Sequence, residues 1–480
     1  MKTFKYLGFI IAILFFASCS KKDNAAAPEL SVSSSEELFT AAGGTSEVTV
    51  SSNTKWSFSN SASWFTATAS TTEGNGKITF NVQANSTASE RSVVIAVTAG
   101  SISKEIKVRQ LGSANSDSIP ADATGMSSNA TQLAAKIKLG WNIGNTLEAI
   151  GGETAWGNPK VTKALIDLVK NSGFNAVRIP CSWDQYVTTT GSTQLKTEWL
   201  NRVKEVVQYC VDNGMYAILN IHWDGGWLEE NCTTAKQDAV NAKQKAFWKQ
   251  IAATFRDYDE HVLFASANEP NVSDATGMSV LLSYHQTFIN TVRSTGGHNS
   301  YRVLVVQGPS TDIEYTNSLM NTLPTDYVAN RMMAEIHYYT PYQFCLMKQD
   351  ESWGKMFYYW GQSNHSTTDL TRNPTWGEEA DVIKYFGMMK TKFVDKGIPV
   401  VLGEFAAMRR TSLTGAALTL HLASRAFYLK YVTQQAKANG LLPFYWDEGS
   451  LGDMGSGIFN RQTNTVFDQQ ALDALVQGAQ

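Results

Sequence analysis

Residues 262–270 read VLFASANEP, an apolar run that stops abruptly at Asn268, Glu269 and Pro270. A short continuous apolar run bounded by polar residues and Pro is the pattern of a strand buried on both faces. Residues 398–405, IPVVLGEF, end the same way, with Glu404 just past a Gly. Each run therefore delivers one carboxylate to the carboxyl end of a buried strand. In a parallel barrel that end is the face where catalytic groups collect, so Glu269 and Glu404 are candidates for paired-carboxylate chemistry.

Around these two runs, residues 125–480 alternate strand-like and helix-like segments. Apolar runs fall at 139–143, 176–180, 216–222, 262–267, 302–307, 332–338, 399–404 and 441–446. Helical periodicity lies between most of them, for example 160–171 with Leu165, Leu168 and Val169 on one side, and 198–213 with Val203, Val206, Val207 and Val211. Strands and helices in this alternation over about 350 residues predict a single (β/α)8 TIM barrel, an α/β fold, rather than two α/β domains.

The chain ahead of the barrel has a different character. Residues 1–19 carry Lys2 and Lys5, an apolar stretch at 6–16, and then Ala17, Ser18 and Cys19. That is the shape of a secretory signal, too short to cross a bilayer as a mature helix. The small residues before Cys19 resemble a bacterial lipobox, with Phe16 where Leu is commoner. The expected product begins at a lipidated Cys19 and is an outer-membrane lipoprotein at the cell surface; a periplasm-facing anchor, or a plain signal with Cys19 removed, are the alternatives. Residues 20–28 are an Ala-rich tether, and 113–124 (SANSDSIPADAT) have the composition of a linker. Between them, residues 29–112 hold short alternating runs separated by Gly, Ser and Asn, which predicts a small all-β immunoglobulin-like sandwich.

Composition narrows the function class. The chain is 43% hydrophobic and 17% charged, with 40 Lys and Arg against 43 Asp and Glu, so no basic excess recruits a nucleic acid. Thirteen Trp and 18 Tyr include Trp227, Trp353, Trp360 and Trp376 in loop-like sequence, where an aromatic face can stack on a sugar ring. No CxxC pair or Cys/His zinc spacing occurs, so neither a metal nor a cofactor is expected. Cys181 and Cys210 lie in or beside apolar runs and read as buried thiols. Cys232 and Cys345 sit in loop-like sequence and could pair in an oxidising compartment.

Two resemblances follow from these residues. Trp56, Trp64, the run 63–68 (SWFTAT) and the closing 106–112 (IKVRQLG) resemble a BACON domain, a module found with carbohydrate enzymes. Such a domain implies either a glycan-binding module or a spacer, and Trp56 and Trp64, lying within strand-like runs, favour the spacer. In the second region, Arg178 ends the second predicted strand, His222 the third, Asn268 and Glu269 the fourth, His337 and Tyr339 the sixth, Glu404 the seventh and Trp446 the eighth. A lone Glu after a strand is commonly a cap or surface charge, but this ordered set resembles the signature of glycoside hydrolase family 5. The strings 140–147 (GWNIGNTL), 154–159 (TAWGNP) and 337–341 (HYYTP) look like its endoglucanases, which include xyloglucanases, lichenases and cellulases.

The resemblance implies a retaining double displacement with Glu404 as nucleophile and Glu269 as acid/base. Arg178 and Tyr339 would hold Glu404 ionised, while apolar surroundings and the Glu404 charge would raise the Glu269 pKa. Asn268 would bind the sugar 2-hydroxyl, His222 and His337 would contact substrate or orient the carboxylates, and Trp446 would be the stacking floor. Trp156 and Trp227, like Trp183 and Trp353, divide between subsite platforms and loop packing. Asp224 could orient a loop, and Glu335, inside a strand, reads as a barrel-interior ion-pair member. The implied protein is a monomeric, lipid-anchored endo-β-1,4-glucanase with xyloglucan as first-choice substrate. A mixed-linkage β-glucanase or cellulase, or a catalytically weak surface glycan-binding protein, are the alternatives.

Overall fold

Period-two alternation lets a strand bury one face, and residues 30–110 use it to build two four-stranded sheets. In Gly44–Ser52, Val48 and Val50 are buried while Glu47 and Thr49 face water. One sheet runs Leu30–Val32, Gly44–Ser52, Gly76–Val82, Phe65–Ala69; the other runs Glu36–Phe39, Ile102–Gln110, Arg91–Ala99, Ser57–Phe58. Their shared core includes Val48, Phe65, Phe80, Ile95, Val97, Ile106 and Val108. Trp56 is 3% exposed and its indole N–H donates to the Gly74 carbonyl at 2.9 Å. Trp64 packs on Phe65 and is capped by the Arg91 guanidinium at 4.8 Å, so both tryptophans serve packing. This computed structural model describes residues 27–480 except 40, 42, 61, 88, 111 and 113–118, so Cys19, the leader and most of the tether lie outside the described residues. The chain divides into two compact units, 1–113 and 114–480.

In the second unit a closed parallel barrel is formed by β1 (Gly140–Ile143), β2 (Ala176–Ile179), β3 (Tyr216–Asn220), β4 (Val262–Ala265), β5 (Leu304–Gln307), β6 (Met332–Tyr338), β7 (Val400–Phe405) and β8 (Leu441–Asp447). All eight predicted runs are strands of this barrel, with ends shifted by one or two residues. The helices Lys163–Asn171 and Thr197–Asp212 match the two predicted ones, the first capped by the Thr162 hydroxyl, and they bury Leu165, Ile166, Val169, Val203, Val206 and Val207.

Strand side chains alternate between the helix layer and the barrel interior. Val177, Leu219, Phe264, Val306, Ile336 and Leu402 pack with the helices. Ile218, Leu263, Val305, Met333, Val401 and Phe444 form a separate apolar cluster. It is closed by Leu133 and Ile137, borne on and just after helix Ala130–Lys136. Two residues further along three of these strands, the buried side chains turn polar, at Asn220, Gln307 and Glu335, with Arg178 two past Ala176, while β8 presents the half-buried Trp446. An apolar plug thus carries a polar upper layer.

Strand β7 breaks this alternation. Counting by two from Val401 reaches Gly403, not Glu404. The register slips against both neighbours here: Ile336 pairs with Leu402 but His337 with Glu404, and Phe405 takes Tyr445. A bulge of this kind re-aims the next side chain, and it brings Glu404 to the interior face. A Cβ at Gly403 would lie 2.0 Å from the Glu335 carboxylate oxygen, so only Gly fits.

The four cysteines in the described region are free and buried, so Cys232 and Cys345, whose pairing the sequence left open, are separate thiols here. Cys345 ends a short helix, Tyr342–Cys345, and donates to the Tyr428 hydroxyl, while Cys232 donates to the Leu228 carbonyl.

Gly403→Ala tests the bulge. The added methyl forces Glu335 or β7 to move, so a destabilisation of about 2–4 kcal/mol in the urea midpoint and a large loss of any barrel activity are expected. An unchanged midpoint would contradict the packing described.

Candidate active site

Arg178, at the end of β2, is wholly buried and spends its guanidinium on four groups. Nη1 donates to Glu404 Oε1 at 2.9 Å and to Asn142 Oδ1 at 3.0 Å, and Nη2 donates to Asn268 Oδ1 at 2.8 Å. Nε lies 2.8 Å from Glu335 Oε1. A charge this deep persists only with paired counter-charge, which Glu335 and Glu404 provide. Glu335 is the interior ion-pair member expected from the sequence, steadied by Gln307 Nε2 at 2.5 Å. The Tyr339 hydroxyl donates to Glu404 Oε2 at 2.8 Å, so both oxygens of Glu404 are held.

Because Asn268 Oδ1 is taken by Arg178, its amide nitrogen is left as the donor, with one N–H directed to the Glu229 carboxyl and the other toward the cleft. Asn220 Nδ2 points at His222 Nδ1 at 3.3 Å while its Oδ1 accepts from the Cys181 N–H. That leaves the His222 proton on Nε2. Burial, with Arg178 and His337 nearby, pushes His222 well below its ordinary pKa, so it is a neutral donor. Its ring stacks on Trp446, centroids 5.7 Å apart and planes within 10°.

Glu269 and Glu404 differ in setting. The Glu404 side chain is 7% exposed, whereas Glu269 is 44% exposed and open to the cleft. One oxygen of each, with a nitrogen of His337, lies within 4.8 Å of the others. Carboxyls in inverting glycosidases stand about 6.5–9.5 Å apart and those in retaining ones about 5–5.5 Å, so this separation belongs to the retaining class.

His337 decides the proton balance. Its Nδ1 is 2.6 Å from Glu269 Oε1 and 3.7 Å from Glu404 Oε2, and Nε2 is 3.3 Å from Glu335 Oε1. Burial disfavours its charge, but the charge of Glu404 and the bonds to Glu269 and Glu335 outweigh burial and raise it to about 10. The imidazole is therefore held in its protonated form between the carboxylates. Burial pushes Glu269 up, yet the His337 bond and charge overcome it and leave Glu269 below its ordinary value. Glu404 is raised, chiefly by burial, with His337 and Arg178 opposing and Glu269 reinforcing. The sequence suggested the reverse order; the difference arises because the imidazolium sits closer to Glu269 than to Glu404.

The remaining expectations divide. Asp224 does orient a loop, accepting from the Trp183 and Asp184 N–H groups and from Trp227 Nε1. Trp183 is fully buried, its indole donating to the Asn220 carbonyl, and is scaffold. Trp227 packs on Phe247 and carries the Lys243 ammonium 4.7 Å from its ring, a loop-packing residue rather than a free platform. Trp156 is 45% exposed and Trp353 63% exposed, the latter with its ring 6.1 Å from that of Tyr342. Asn142, Gln307 and Glu229 were not singled out in the sequence, although Asn142 lies within the quoted GWNIGNTL string.

Four carboxyls around the barrel mouth, Glu148, Asp224, Glu229 and Glu448, are each pushed by burial to about 7. A raised folded-state pKa gives stability that is present below the ordinary value and lost as pH climbs through the folded one. These four therefore erode stability between about pH 4.5 and 7, and His337 continues the loss between about 6.5 and 10. The thermal midpoint of the barrel is expected to be highest near about pH 5 and to fall steadily toward pH 9; a flat or rising midpoint over that range would contradict the burial of these groups.

Comparison with known proteins agrees with this geometry. The cellulase family, glycosyl hydrolase family 5, matches residues 142–452, and the BACON family, an N-terminal domain, matches residues 54–111. A xyloglucan-specific endo-beta-1,4-glucanase of Bacteroides ovatus is 35% identical over 485 residues, covering 96% of this chain and 94% of its own. Endoglucanase A of Paenibacillus barcinonensis is 37% identical over 391 residues, 76% of this chain and 94% of that one. Among solved structures, the Bacteroides ovatus GH5 xyloglucanase with a XXXG heptasaccharide superposes with a TM-score of 0.77 at 34% identity, covering 94% of this chain and all of that one. A GH5-4 broad specificity endoglucanase from a clostridium, Clostridium cellulovorans, gives 0.64 at 29% identity over 75% of this chain and 99% of its own. With the barrel, the ordered strand-end residues and the family match over 142–452 in agreement, this chain belongs to glycosyl hydrolase family 5.

Proposed function

We propose that this chain is a retaining endo-β-1,4-glucanase acting on xyloglucan, with Glu404 as nucleophile and Glu269 as acid/base. The observation that carries the reaction class is the pair of carboxyls within 4.8 Å, one buried on Arg178 and Tyr339 and one open to the cleft beside His337. Glu404 attacks the anomeric carbon as the glycosidic C–O bond breaks, and Glu269 passes a proton to the departing oxygen. In the empty cleft that proton is held on the His337–Glu269 hydrogen bond. Water then attacks the glycosyl ester from the vacated side, Glu269 takes its proton, and Glu404 is released. The Asn268 amide donates to the 2-hydroxyl, a bond that strengthens as the ring gains oxocarbenium character.

Xyloglucan as substrate is supported by the Bacteroides ovatus xyloglucanase matches in sequence and in structure, which span nearly the whole chain. A cavity of about 160 Å³ beside Trp446, lined by Asn145, Met408, Glu448, Met454 and Ser456, adds room next to the stacking floor for a branched chain. The second reading, a general β-glucanase, is favoured by the endoglucanase and broad-specificity relatives over the barrel alone. Lys2, Lys5, the apolar stretch and Ala17-Ser18-Cys19 support a lipoprotein anchored through Cys19 at the outer membrane.

Product analysis on xyloglucan, mixed-linkage β-glucan, soluble cellulose and β-mannan tests the proposal. Xyloglucan should be cut at least as fast as the others, into short branched oligosaccharides, and Glu404→Gln should lower kcat by more than about 1,000-fold. Cleavage of unbranched glucans alone would overturn the substrate; a Glu404→Gln rate within about tenfold of the parent would overturn the nucleophile. Cell fractionation completes the test: Cys19→Ser should leave the membrane fraction, and its retention there would refute the anchor.

A further inference from the structure

A third carboxyl touches the acid/base from behind. Glu229 stands on a short turn, Glu229–Asn231, in the loop after β3, and is only 7% exposed. Its Oε1 accepts the backbone N–H of Glu269 at 2.7 Å, and its own carbonyl accepts the Asn271 N–H at 2.9 Å. The Asn268 side chain also hydrogen-bonds the Glu229 carboxyl. One residue therefore holds the 268–271 segment at Asn268, Glu269 and Asn271 from a neighbouring loop. Nothing in the double displacement requires a third acid here, and an amide-accepting Gln or a water could satisfy the same N–H group.

We infer that Glu229 is a positioning residue that fixes the Asn268–Glu269 main chain and, through its negative charge, keeps Glu269 able to carry the proton for the leaving group. This rests on the assignment of Glu269 as acid/base. His337 pulls that carboxyl toward its ionised form from one side, and Glu229 opposes it from the other. The charged and titratable groups facing Glu229 are Glu269 and Glu404 across the cleft floor and the Cys232 thiol on its own loop, with Glu230 adjacent and Arg178 beyond Asn268. Among these, burial and the two catalytic carboxylates raise Glu229 itself to about 7, so its charge comes and goes in the working range.

The test compares two substrates. An unactivated cello- or xylogluco-oligosaccharide needs acid assistance to depart, while 2,4-dinitrophenyl β-cellobioside does not. Glu229→Gln keeps an acceptor for the Glu269 N–H but removes the charge. It should lower kcat/KM on the oligosaccharide by about tenfold or more, change the activated substrate less than about threefold, and move the alkaline limb of the pH profile to lower pH. Equal losses on both substrates with an unmoved limb would overturn the inference. If the Gln variant does not fold, Glu229→Asp is read instead: a selective loss on the oligosaccharide supports the inference and a uniform loss overturns it. Glu269→Ala serves as the control. It should spare the activated substrate selectively, and if it does not, the acid/base assignment fails independently of Glu229.

Discussion

The buried guanidinium of Arg178 is the constraint from which the rest of the site follows. With no exposure to water it must be neutralised in place, and the two carboxylates that do so are Glu335 in the barrel interior and Glu404 at its mouth. The remaining donors fix Asn142 and Asn268. One side chain thus sets the charge of the nucleophile, its position, and the amide that faces the sugar. Breaking such a buried pair costs about 3–5 kcal/mol, because the charges left behind are uncompensated. Glu335 then imposes a demand of its own, since its carboxylate fills the space where any side chain at residue 403 would stand. The Gly-Glu order on β7, the bulge and the inward aim of Glu404 are consequences of housing that ion pair.

Chemistry and substrate choice are divided between different parts of the fold. The reacting groups are on strand ends, locked by hydrogen bonds to neighbouring strands. The exposed aromatic rings, Trp156, Trp353, Trp376 and Tyr342, are on the connections that follow β1 and β6. A family sharing this barrel can therefore hold one reaction while its members are named for xyloglucan or for broad specificity. Several of the loops are tied to the barrel mouth by carboxyls that burial holds near neutrality, such as Asp224 and Glu148.

Strand and helix order was legible in the sequence because apolar runs of five to seven residues alternate with 3.6-period patterns, and each run that ended in a polar residue marked a strand end. The glutamate pair was legible for the same reason. What sequence could not carry was lateral geometry. Nothing in IPVVLGEF announces that the period-two count slips at Gly403, since the cause is a carboxylate from β6. Nor does the loop 222–237 announce that Glu229, and not Glu230 beside it, reaches the Glu269 main chain. The order of proton affinities was misjudged because it depends on whether His337 leans toward Glu269 or Glu404, a matter of about one ångström. Cys345 read as a loop thiol because its helix is a single turn.

Glu404, seated on Arg178 and Tyr339, is placed to form the covalent bond to the sugar, and Glu269 is not. Incubation with an activated 2-deoxy-2-fluoro-β-cellobioside, followed by proteolysis and mass spectrometry, addresses it directly. One 2-fluorocellobiosyl adduct on the peptide that contains Glu404, with activity lost in step, is expected. An adduct on Glu269, or time-dependent inactivation with no adduct on either carboxylate, would contradict it.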